Sequence, residues 1–170
     1  MNALCLVAHP DDCVIFAYSF MWHHPQHDWT VAYLTYTESD PRGSELAKFW
    51  HRRGIPTKFL GFEDDWQDNQ QQQFTRWNPQ DAIQACQDLA ADYHVVLTHD
   101  QAGDYGHIHH RLVHQAVANH PGLITFSRPG QGTTYTLPKG AYNLDELPLH
   151  RTVIQDFHPD QHRNSYKESI

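Results

Sequence analysis

The sequence is poor in cysteine, and this scarcity limits the kinds of protein it can encode. Its 170 residues include three cysteines, Cys5, Cys13 and Cys86. Their number is odd and no two of them have C-x-x-C spacing, so neither a disulfide-stapled domain nor a cysteine-based metal site is predicted. We expect reduced, packed thiols in a cytoplasmic protein.

Basic residues and long apolar stretches are also scarce. Lys and Arg total 12 against 20 Asp and Glu, and the formal net charge is −8 with histidine neutral. Because affinity for a phosphate backbone comes from clustered Lys and Arg, we expect no nucleic-acid partner. No stretch approaches the roughly 20 apolar residues of a membrane span. The first apolar run lacks a basic flank and stops at His9, so no secretory signal is expected.

Histidine, by contrast, is abundant, with 15 residues. It is the commonest side-chain metal ligand, and it titrates near neutral pH. The count alone does not make a site, so the positions of the histidines have to decide. The length predicts a single domain over residues 1–170 with one core.

Apolar runs and helical patterns alternate along the chain. Short runs rich in apolar and β-branched residues predict strands at Ala3–Ala8, Thr30–Thr37, Lys58–Leu60, Val95–Thr98 and Leu123–Phe126. Periodic patterns with caps predict helices at Val14–Trp22, at Pro41–Arg53, from Asn78-Pro79 to about Tyr93, and at His107–Asn119. We interpret the polar segment Glu63–Arg76 as an exposed loop, and Thr133–Leu137 and Arg151–Phe157 as edge strands.

This alternation predicts the α/β class: a doubly wound, Rossmann-like and mostly parallel sheet with helices on both faces. In that class, ligands bind outside the carboxyl ends of the strands. The residues that carry chemistry should therefore come directly after the apolar runs.

Histidines and carboxylates do follow the predicted strands. His9-Pro10-Asp11-Asp12 comes after the first strand, and Thr37-Glu38 comes after the second. His99-Asp100 follows the fourth strand and leads into Tyr105-Gly106-His107-Ile108-His109-His110. Imidazole and carboxylate without thiolate suit zinc, iron or manganese.

The spacing makes a metal site with a neighbouring base available. His107 and His110 are three residues apart at a predicted helix start, so both can point toward the sheet edge. With His9 and Asp12 they offer more ligands than the three that a catalytic zinc usually takes from protein. Asp11 is the natural general base for a water activated by such an ion.

Simpler explanations exist for each motif taken alone. Asp11-Asp12 between a strand and a helix is also typical of a helix N-cap, and histidine pairs often face solvent. A flavodoxin-like nucleotide site is disfavoured because no glycine-rich loop follows the first strand. The histidines without such context are expected on the surface or in loops: His23, His24, His27, His51, His150, His158 and His162.

Two motifs together resemble the PIG-L/LmbE-like de-N-acetylase family. They are Val7-Ala8-His9-Pro10-Asp11-Asp12 and Gly103-Asp104-Tyr105-Gly106-His107-Ile108-His109-His110, and the likeness extends over roughly Met1 to Asn119. The resemblance implies that a zinc ion, or alternatively iron(II), is held by His9, Asp12 and His110.

The resemblance also implies a reaction and further roles. A small-molecule substrate, an N-acetylglucosamine-type amino sugar or conjugate, would lose its acetyl group by hydrolysis. Asp11 would be the general base, and Tyr105 would help to stabilise the oxyanion. His107 would stabilise the oxyanion or protonate the leaving amine, and Arg42 would contact the substrate. Aromatic residues that could stack on a sugar ring are Trp22, Trp66, Trp77 and Tyr36.

Two positions depart from the family pattern. Cys13 stands where the family usually has Glu, and Ile108-His109 replaces a common Pro-Asp. The missing aspartate would have oriented His107. His109 either takes over a function or faces solvent. These departures leave an alternative open, a catalytically altered metal- or ligand-binding module on the same fold.

Overall fold

A seven-stranded sheet forms the centre of the molecule. The computed structural model describes residues 1–128, 130–157 and 163–168. The strands are β1 (Asn2–Val7), β2 (Asp28–Thr35), β3 (Thr57–Phe62), β4 (Val95–Thr98), β5 (Leu123–Ser127), β6 (Thr133–Thr136) and β7 (Arg163–Glu168). Their order is β3-β2-β1-β4-β5-β7-β6. The first five strands pair in parallel, whereas β7 is antiparallel to both β5 and β6.

The central place of β1 positions the site. β1 pairs with β2 on one side and with β4 on the other, so the chain reverses its winding direction at this strand. In open α/β sheets such a reversal opens a crevice at the carboxyl ends of the strands. The residues after β1 and those after β4 therefore meet at one edge.

Helices cover both faces of the sheet. They are α1 (Tyr18–His23), α2 (Pro41–His51), α3 (Trp66–Gln71), α4 (Pro79–Ala90), α5 (Ile108–Val117) and α6 (Arg151–Phe157). Alternate residues of β1 contribute to different cores. Cys5 packs in one core with Phe49 of α2, and Leu6 packs in the other with Leu112 of α5. Burial on both faces explains the unbroken apolar run of β1 and confirms the predicted fold class.

Local signals explain where the clearest helix begins. The Asn78 side chain accepts a hydrogen bond from the Gln80 N–H, and Pro79 occupies the first turn of α4.

The helix that was predicted over Val14–Trp22 begins differently. Residues Cys13–Ala17 form a π-helical turn that continues into α1. All three cysteines are free and buried, as the cysteine count predicts.

The interpretation of Glu63–Arg76 as an exposed loop is wrong in part, because the segment contains α3. Asp65 caps this helix by accepting the N–H of Gln67. Asp68 is completely buried and accepts hydrogen bonds from the N–H and the hydroxyl of Thr75. A polar composition alone cannot show that carboxylates are used internally.

Two further interpretations at the C-terminal end are wrong, the second of them only in part. Arg151–Phe157 is the helix α6 and not an edge strand. Val153 and Phe157, four residues apart, both line the cleft, while Ile154 is buried in the core. His150, expected on the surface or in a loop, does lie in the turn before α6. It is nevertheless fully buried beside Glu45 of α2, with 3.2 Å between Nδ1 and Oε1. The predicted strand at Thr133–Leu137 is confirmed as β6. The predictions for His158 and His162 lie outside the described residues.

Among the residues that the structure describes, no helix has the length and apolarity needed to cross a bilayer.

Arg53 connects the segment before α6 to the helix α2. The guanidinium of Arg53 lies 3.7 Å from the centroid of the Phe49 ring. Its two Nη atoms donate to the two carboxylate oxygens of Glu146, at 3.0 and 2.9 Å. The hydrogen bonds from Arg53 lower the pKa of Glu146 to about 2, although partial burial opposes the shift.

We expect Glu146→Gln to destabilise the fold by about 1 kcal/mol at pH 7, a value discounted for solvent screening. A carboxyl whose pKa is lowered on folding stabilises the protein above its unfolded pKa of 4.5. The stabilisation is lost as the pH falls toward 2, so the difference between variant and native should shrink in acid. Urea unfolding at a series of pH values measures this. Arg52→Gln is the matched control, because that side chain is half-exposed and makes one longer contact with Glu146, 3.3 Å from Nε to Oε1. An equal loss there would contradict the assignment to Arg53.

Candidate metal centre and active site

Three side chains from two distant segments converge at the carboxyl edge of β1. His9 Nδ1 lies 3.2 Å from His110 Nε2 and 3.3 Å from Asp12 Oδ2. The third side of the triangle, from His110 Nε2 to Asp12 Oδ2, is 3.2 Å. The structure thus brings together the three residues that the resemblance implies as metal ligands.

Asp12 is not a helix N-cap. Its backbone is helical, and its side chain makes no capping hydrogen bond to the π-helical turn that follows. Oδ2 of Asp12 instead accepts the N–H of His9 at 2.8 Å, which turns the carboxylate back toward His110. The capping explanation for this aspartate is therefore wrong, and its carboxylate is directed to the cluster.

Asp104 holds two imidazoles in place, a role that was not predicted from the sequence. Its Oδ2 accepts from Nδ1 of His110 at 2.8 Å and from Nδ1 of His99 at 2.5 Å. His99 is fixed in turn because its Nε2 accepts the N–H of Ala8 at 3.0 Å. With its Nδ1–H committed to Asp104, His110 presents Nε2 to the cluster. A carboxylate behind an imidazole is the usual support of a metal ligand.

A tight turn places Asp104 there. Gly103, with φ of 74°, and Asp104, with φ of 62°, both have left-handed backbones. A Cβ on Gly103 would lie 2.6 Å from the carbonyl oxygen of His107, so this position requires glycine. Left-handed conformations of residues other than glycine are strained and cluster at functional sites.

The electrostatics of the cluster favour a positive charge. Burial opposes the charged form of His110, but Asp12 and Asp104 outweigh it and raise the pKa of His110 to about 9. Asp12 is completely buried, which by itself raises its pKa, yet His110 and His9 bring it well below the usual range. The carboxylates of Asp12 and Asp104 both lie beside His110 in a buried environment, and they favour its charged form.

The residues present fit a divalent cation. The edges of 3.2–3.3 Å match the roughly 3.3 Å between neighbouring ligands of a tetrahedral zinc ion with bonds of about 2.0 to 2.1 Å. His9, Asp12 and His110 are one of three groups among the described residues that could hold an ion. The other two are His9, His107 and His109, and His99, Asp104 and His110. In those groups His109 is also bonded to the carboxylate of Asp68, and Asp104 already accepts from both His99 and His110.

A cleft of 190 Å³ opens beside the cluster. It is lined by the predicted residues His9, Asp11, Asp12, Arg42, Tyr105 and His107. His110 is fully buried behind them. A larger cavity of 890 Å³ lies at the opposite edge of the sheet, where β1 and β2 begin, and is lined there by Asn2 and Asp28.

Asp11 has the properties of a base that is tuned by its surroundings. It is 8% exposed. Burial, followed by the negative charge of Asp12, raises the pKa of Asp11 to about 6. Arg42 lies opposite, with 3.9 Å from Nη2 to Asp11 Oδ2, and limits the shift. A carboxyl group with a raised pKa can accept a proton and release it again.

His107 and Tyr105 are arranged as hydrogen-bond donors. His107 Nδ1 accepts the N–H of His109 and caps α5, so the proton of the neutral ring is on Nε2. Burial and the imidazoles of His9, His110 and His109 lower the pKa of His107 to about 2. Burial followed by the charge of Asp12 raises the pKa of Tyr105 and keeps its hydroxyl protonated. Both rings therefore donate in their neutral forms.

The two departures from the family pattern have different structural consequences. His109 does not face solvent: it is fully buried, and its Nδ1 lies 3.0 Å from His9 Nε2. Cys13 is buried in the core, where its thiol contacts the hydroxyl of Tyr33 and the indole N–H of Trp50. Burial raises the pKa of the Cys13 thiol to about 12, so it does not supply the negative charge of the usual glutamate.

The four aromatic residues proposed for sugar stacking are not all near the cleft. Trp66, which is 67% exposed, and Tyr36 line it. Trp77 packs against His109, and its indole N–H donates to the carbonyl oxygen of Glu63. Trp22 lines the cavity at the opposite edge.

Asp64 also belongs to the site and was missed. Its Oδ1 is 3.5 Å from His9 Nε2, and its Oδ2 accepts a hydrogen bond from the Tyr36 hydroxyl at 3.1 Å. Tyr36 has a left-handed backbone, with φ of 66°. Asp64 follows the end of β3, so the rule that ligands bind beyond the strands could have found it.

Known proteins share this architecture. GalB, the 4-carboxy-2-hydroxymuconate hydratase of Pseudomonas putida, is similar with a TM-score of 0.60 and 12% identity, over 100% of this chain and 97% of that one. The A40926 pseudoaglycone deacetylase is similar with a TM-score of 0.60 and 14% identity, over 98% of this chain and 96% of that one. At such identities, the likeness shows the fold alone.

Sequence comparison is more specific. An uncharacterised protein of Acanthamoeba polyphaga mimivirus is 25% identical over 145 residues, which cover 74% of this chain. The chain spans 61% of the length of that relative. The sequence model of the GlcNAc-PI de-N-acetylases, PIG-L, matches residues 4–120 and includes both histidine motifs. The predicted family is thereby confirmed, and the chain belongs to the GlcNAc-PI de-N-acetylase family.

Proposed function

We propose that the protein is a metal-dependent hydrolase that removes the acetyl group from an N-acetylglucosamine-type amino sugar or conjugate. One observation carries the proposal: in a member of this family, His9, Asp12 and His110 converge beside Asp11 in one cleft. Zinc is the metal we propose first, with iron(II) as the alternative, because the donor set combines imidazole and carboxylate.

Asp11 is the base that activates the attacking water. When bound, a divalent ion supplies Lewis acidity, which polarises the amide carbonyl and makes water more acidic. Asp11 accepts one proton of the attacking water, and the oxygen of that water forms a bond to the carbonyl carbon. The raised pKa of Asp11 suits the later release of the same proton.

Tyr105 and His107 stabilise the negative charge that develops on the carbonyl oxygen. Each is neutral, lines the cleft and has a donor to offer, the Tyr105 hydroxyl and the Nε2–H of His107. Donors that are aligned before the reaction stabilise such an oxyanion without reorganisation.

The leaving amine receives its proton from Asp11. The C–N bond breaks, and the nitrogen takes the proton that Asp11 removed from water. The products are a free amine and acetic acid, which retains the second proton of the water and then ionises to acetate. His107 is the alternative donor for this step that the resemblance leaves open. The cap on its Nδ1 favours the oxyanion role instead, because among the described residues no carboxylate bonds to the ring and supports an imidazolium.

Features at the cleft support a sugar substrate. Trp66 and Tyr36 expose aromatic surface at its margin, and aromatic faces pack on sugar rings. Arg42 also lies over the Tyr36 ring, at 5.9 Å from its centroid, where its guanidinium can donate to a substrate oxygen.

A second candidate function is a hydratase, because the similar structure of GalB is described as one. A base that activates water serves addition to a carbon–carbon double bond as well as amide hydrolysis. A module that binds the metal without turnover is the third outcome. Product analysis separates the three.

We expect zinc-loaded protein to release acetate from N-acetylglucosamine conjugates. Asp11→Asn should keep the metal and lower kcat at least about 100-fold, because the base is lost, and Tyr105→Phe should lower it by a similar factor through loss of an oxyanion donor. Acetate release by an enzyme-coupled assay measures both. Asp92→Asn, at the opposite edge of the sheet, controls for loss of charge. Absence of acetate from a panel of conjugates, with zinc still bound, would contradict the deacetylase proposal.

The proposed ligands can be tested separately from turnover. His110→Ala should abolish tight binding of zinc, because it removes one of three ligands that are held together. Competition with a chromophoric chelator measures the affinity of the metal-stripped chain. His51→Ala is the matched control, since His51 is exposed on α2. Because the chain is rich in histidine, this variant shows whether the loss of a histidine elsewhere also weakens zinc binding. Tight, stoichiometric zinc in His110→Ala would show that the third ligand is wrongly assigned.

A further inference from the structure

We propose that Asp68 and His109 are positioning residues that fix the tautomer and orientation of His9. The inference rests on the proposed metal site and deepens it. It assigns a role to His109, the position at which this chain departs from the family pattern, and to α3, which lies outside both motifs.

The contacts form a chain from a buried carboxylate to the metal cluster. Asp68 Oδ2 lies 3.0 Å from His109 Nε2, and both side chains are 0% exposed. An ionised carboxylate can only accept, so the proton of the His109 ring is on Nε2. Nδ1 of His109 is therefore an acceptor, and it lies 3.0 Å from Nε2 of His9.

The order of donors and acceptors decides which nitrogen of His9 carries the proton and which one presents a lone pair to the cluster. Because His109 Nδ1 accepts, His9 must donate from Nε2. The lone pair of His9 is then on Nδ1, the atom that lies 3.3 Å from Asp12 and 3.2 Å from His110. Without that order, Nδ1 of His9 would carry a proton toward the other two ligands and could not bind a cation.

The other acceptor near His9 makes a weaker contact. Asp64 Oδ1 is 3.5 Å from His9 Nε2, beyond the 2.7 to 3.2 Å typical of an N–H···O bond. His109 is at hydrogen-bond distance and is held on both sides. Its ring packs against Phe74 and Trp77, with centroids 6.0 and 5.5 Å away.

Asp68 is itself fixed by the segment that follows α3. Its Oδ1 accepts the N–H of Thr75 at 3.0 Å and the Thr75 hydroxyl at 2.6 Å, which leaves Oδ2 for His109. The two imidazole ligands thus have parallel supports. Asp104 bonds directly to His110, whereas Asp68 acts on His9 through the ring of His109.

The substitution Asp68→Asn tests the proposal because it keeps the shape and reverses the donor order. The carbonyl of the introduced side chain can still accept from Thr75, so its amide group would donate to His109 Nε2. His109 would then donate from Nδ1 to His9 Nε2, and His9 would carry its proton on Nδ1. Loss of a partner behind a metal ligand typically costs 10- to 100-fold in affinity, and we expect that loss for zinc.

Two readouts are needed, and neither is turnover. Competition with a chelator gives the zinc affinity of the metal-stripped chain. Nitrogen-15 NMR of the same chain reports the tautomer of His9, with the proton on Nε2 in the native protein and on Nδ1 in the variant. Asp65→Asn is the matched control: it makes the same change of residue type at the cap of α3, weakens the bond from Arg76 and lowers the Tm. It should leave zinc affinity within about twofold of native, because the bonds of the Asp65 carboxylate are to the Gln67 N–H and to Arg76.

A second variant covers the case in which Asp68→Asn does not fold. In His109→Asn, the oxygen of the introduced amide can accept from His9 Nε2 without help from Asp68, so zinc affinity should fall less than 10-fold. Adding Asp68→Asn to that background should have no further effect, because the connection is already broken. Additive losses in the double variant would overturn the proposal.

Other results would also overturn it. These are native zinc affinity and tautomer in Asp68→Asn, or a second zinc ion bound by the native chain and lost in His109→Asn, since His109 would then be a ligand. The NMR measurement stands without metal or substrate. A failure of acetate release alone would thus refute the hydrolase proposal and leave this one intact.

Discussion

The arrangement depends on holding three electron-rich atoms within 3.3 Å of one another in a buried place. Such atoms repel unless a positive charge lies among them and the remaining N–H groups find acceptors. Asp104 accepts from His110, and the main chain of Ala8 and the carboxylate of Asp104 fix His99 next to it. The placement of β1 between β2 and β4 allows this, because the polar turn after β1 lies against the start of α5.

Much of the fold could be predicted from the sequence because its signals are local. β1 is buried on both faces and has a continuous apolar run, and α4 begins with an Asn-Pro pair that caps and opens a helix. The strand prediction for Arg151–Phe157 failed because a short segment with β-branched residues suits strand and helix alike. The pairing of β7 with β5 and β6 was not predicted, since antiparallel pairing depends on partners about 30 or more residues earlier in the chain.

The residues of the site also separate into those that could be predicted from the sequence and those that could not. The residues at the ends of β1 and β4 could be found because topology alone brings strand ends together. Asp68 and His150 could not, because each is buried beside a partner far away in sequence: His109 for Asp68 and Glu45 for His150. The sequence around a polar residue in a polar segment does not indicate whether that residue is buried. The contact with its partner decides this, and the contact exists only in the folded chain.

The fold by itself does not decide the reaction, since a hydratase and a deacetylase are equally similar to this chain, both with a TM-score of 0.60. What distinguishes chemistry on such a scaffold is which proton lies on which atom at the edge of the sheet. In the arrangement that we propose, His109 sets this order for His9. An imidazole at a position where the family commonly has a carboxylate lies at hydrogen-bond distance from His9, and we propose that it serves as the acceptor for His9 because the carboxylate of Asp68 holds its other nitrogen. The chemical requirement is therefore an acceptor behind each imidazole ligand, and more than one residue type can meet it.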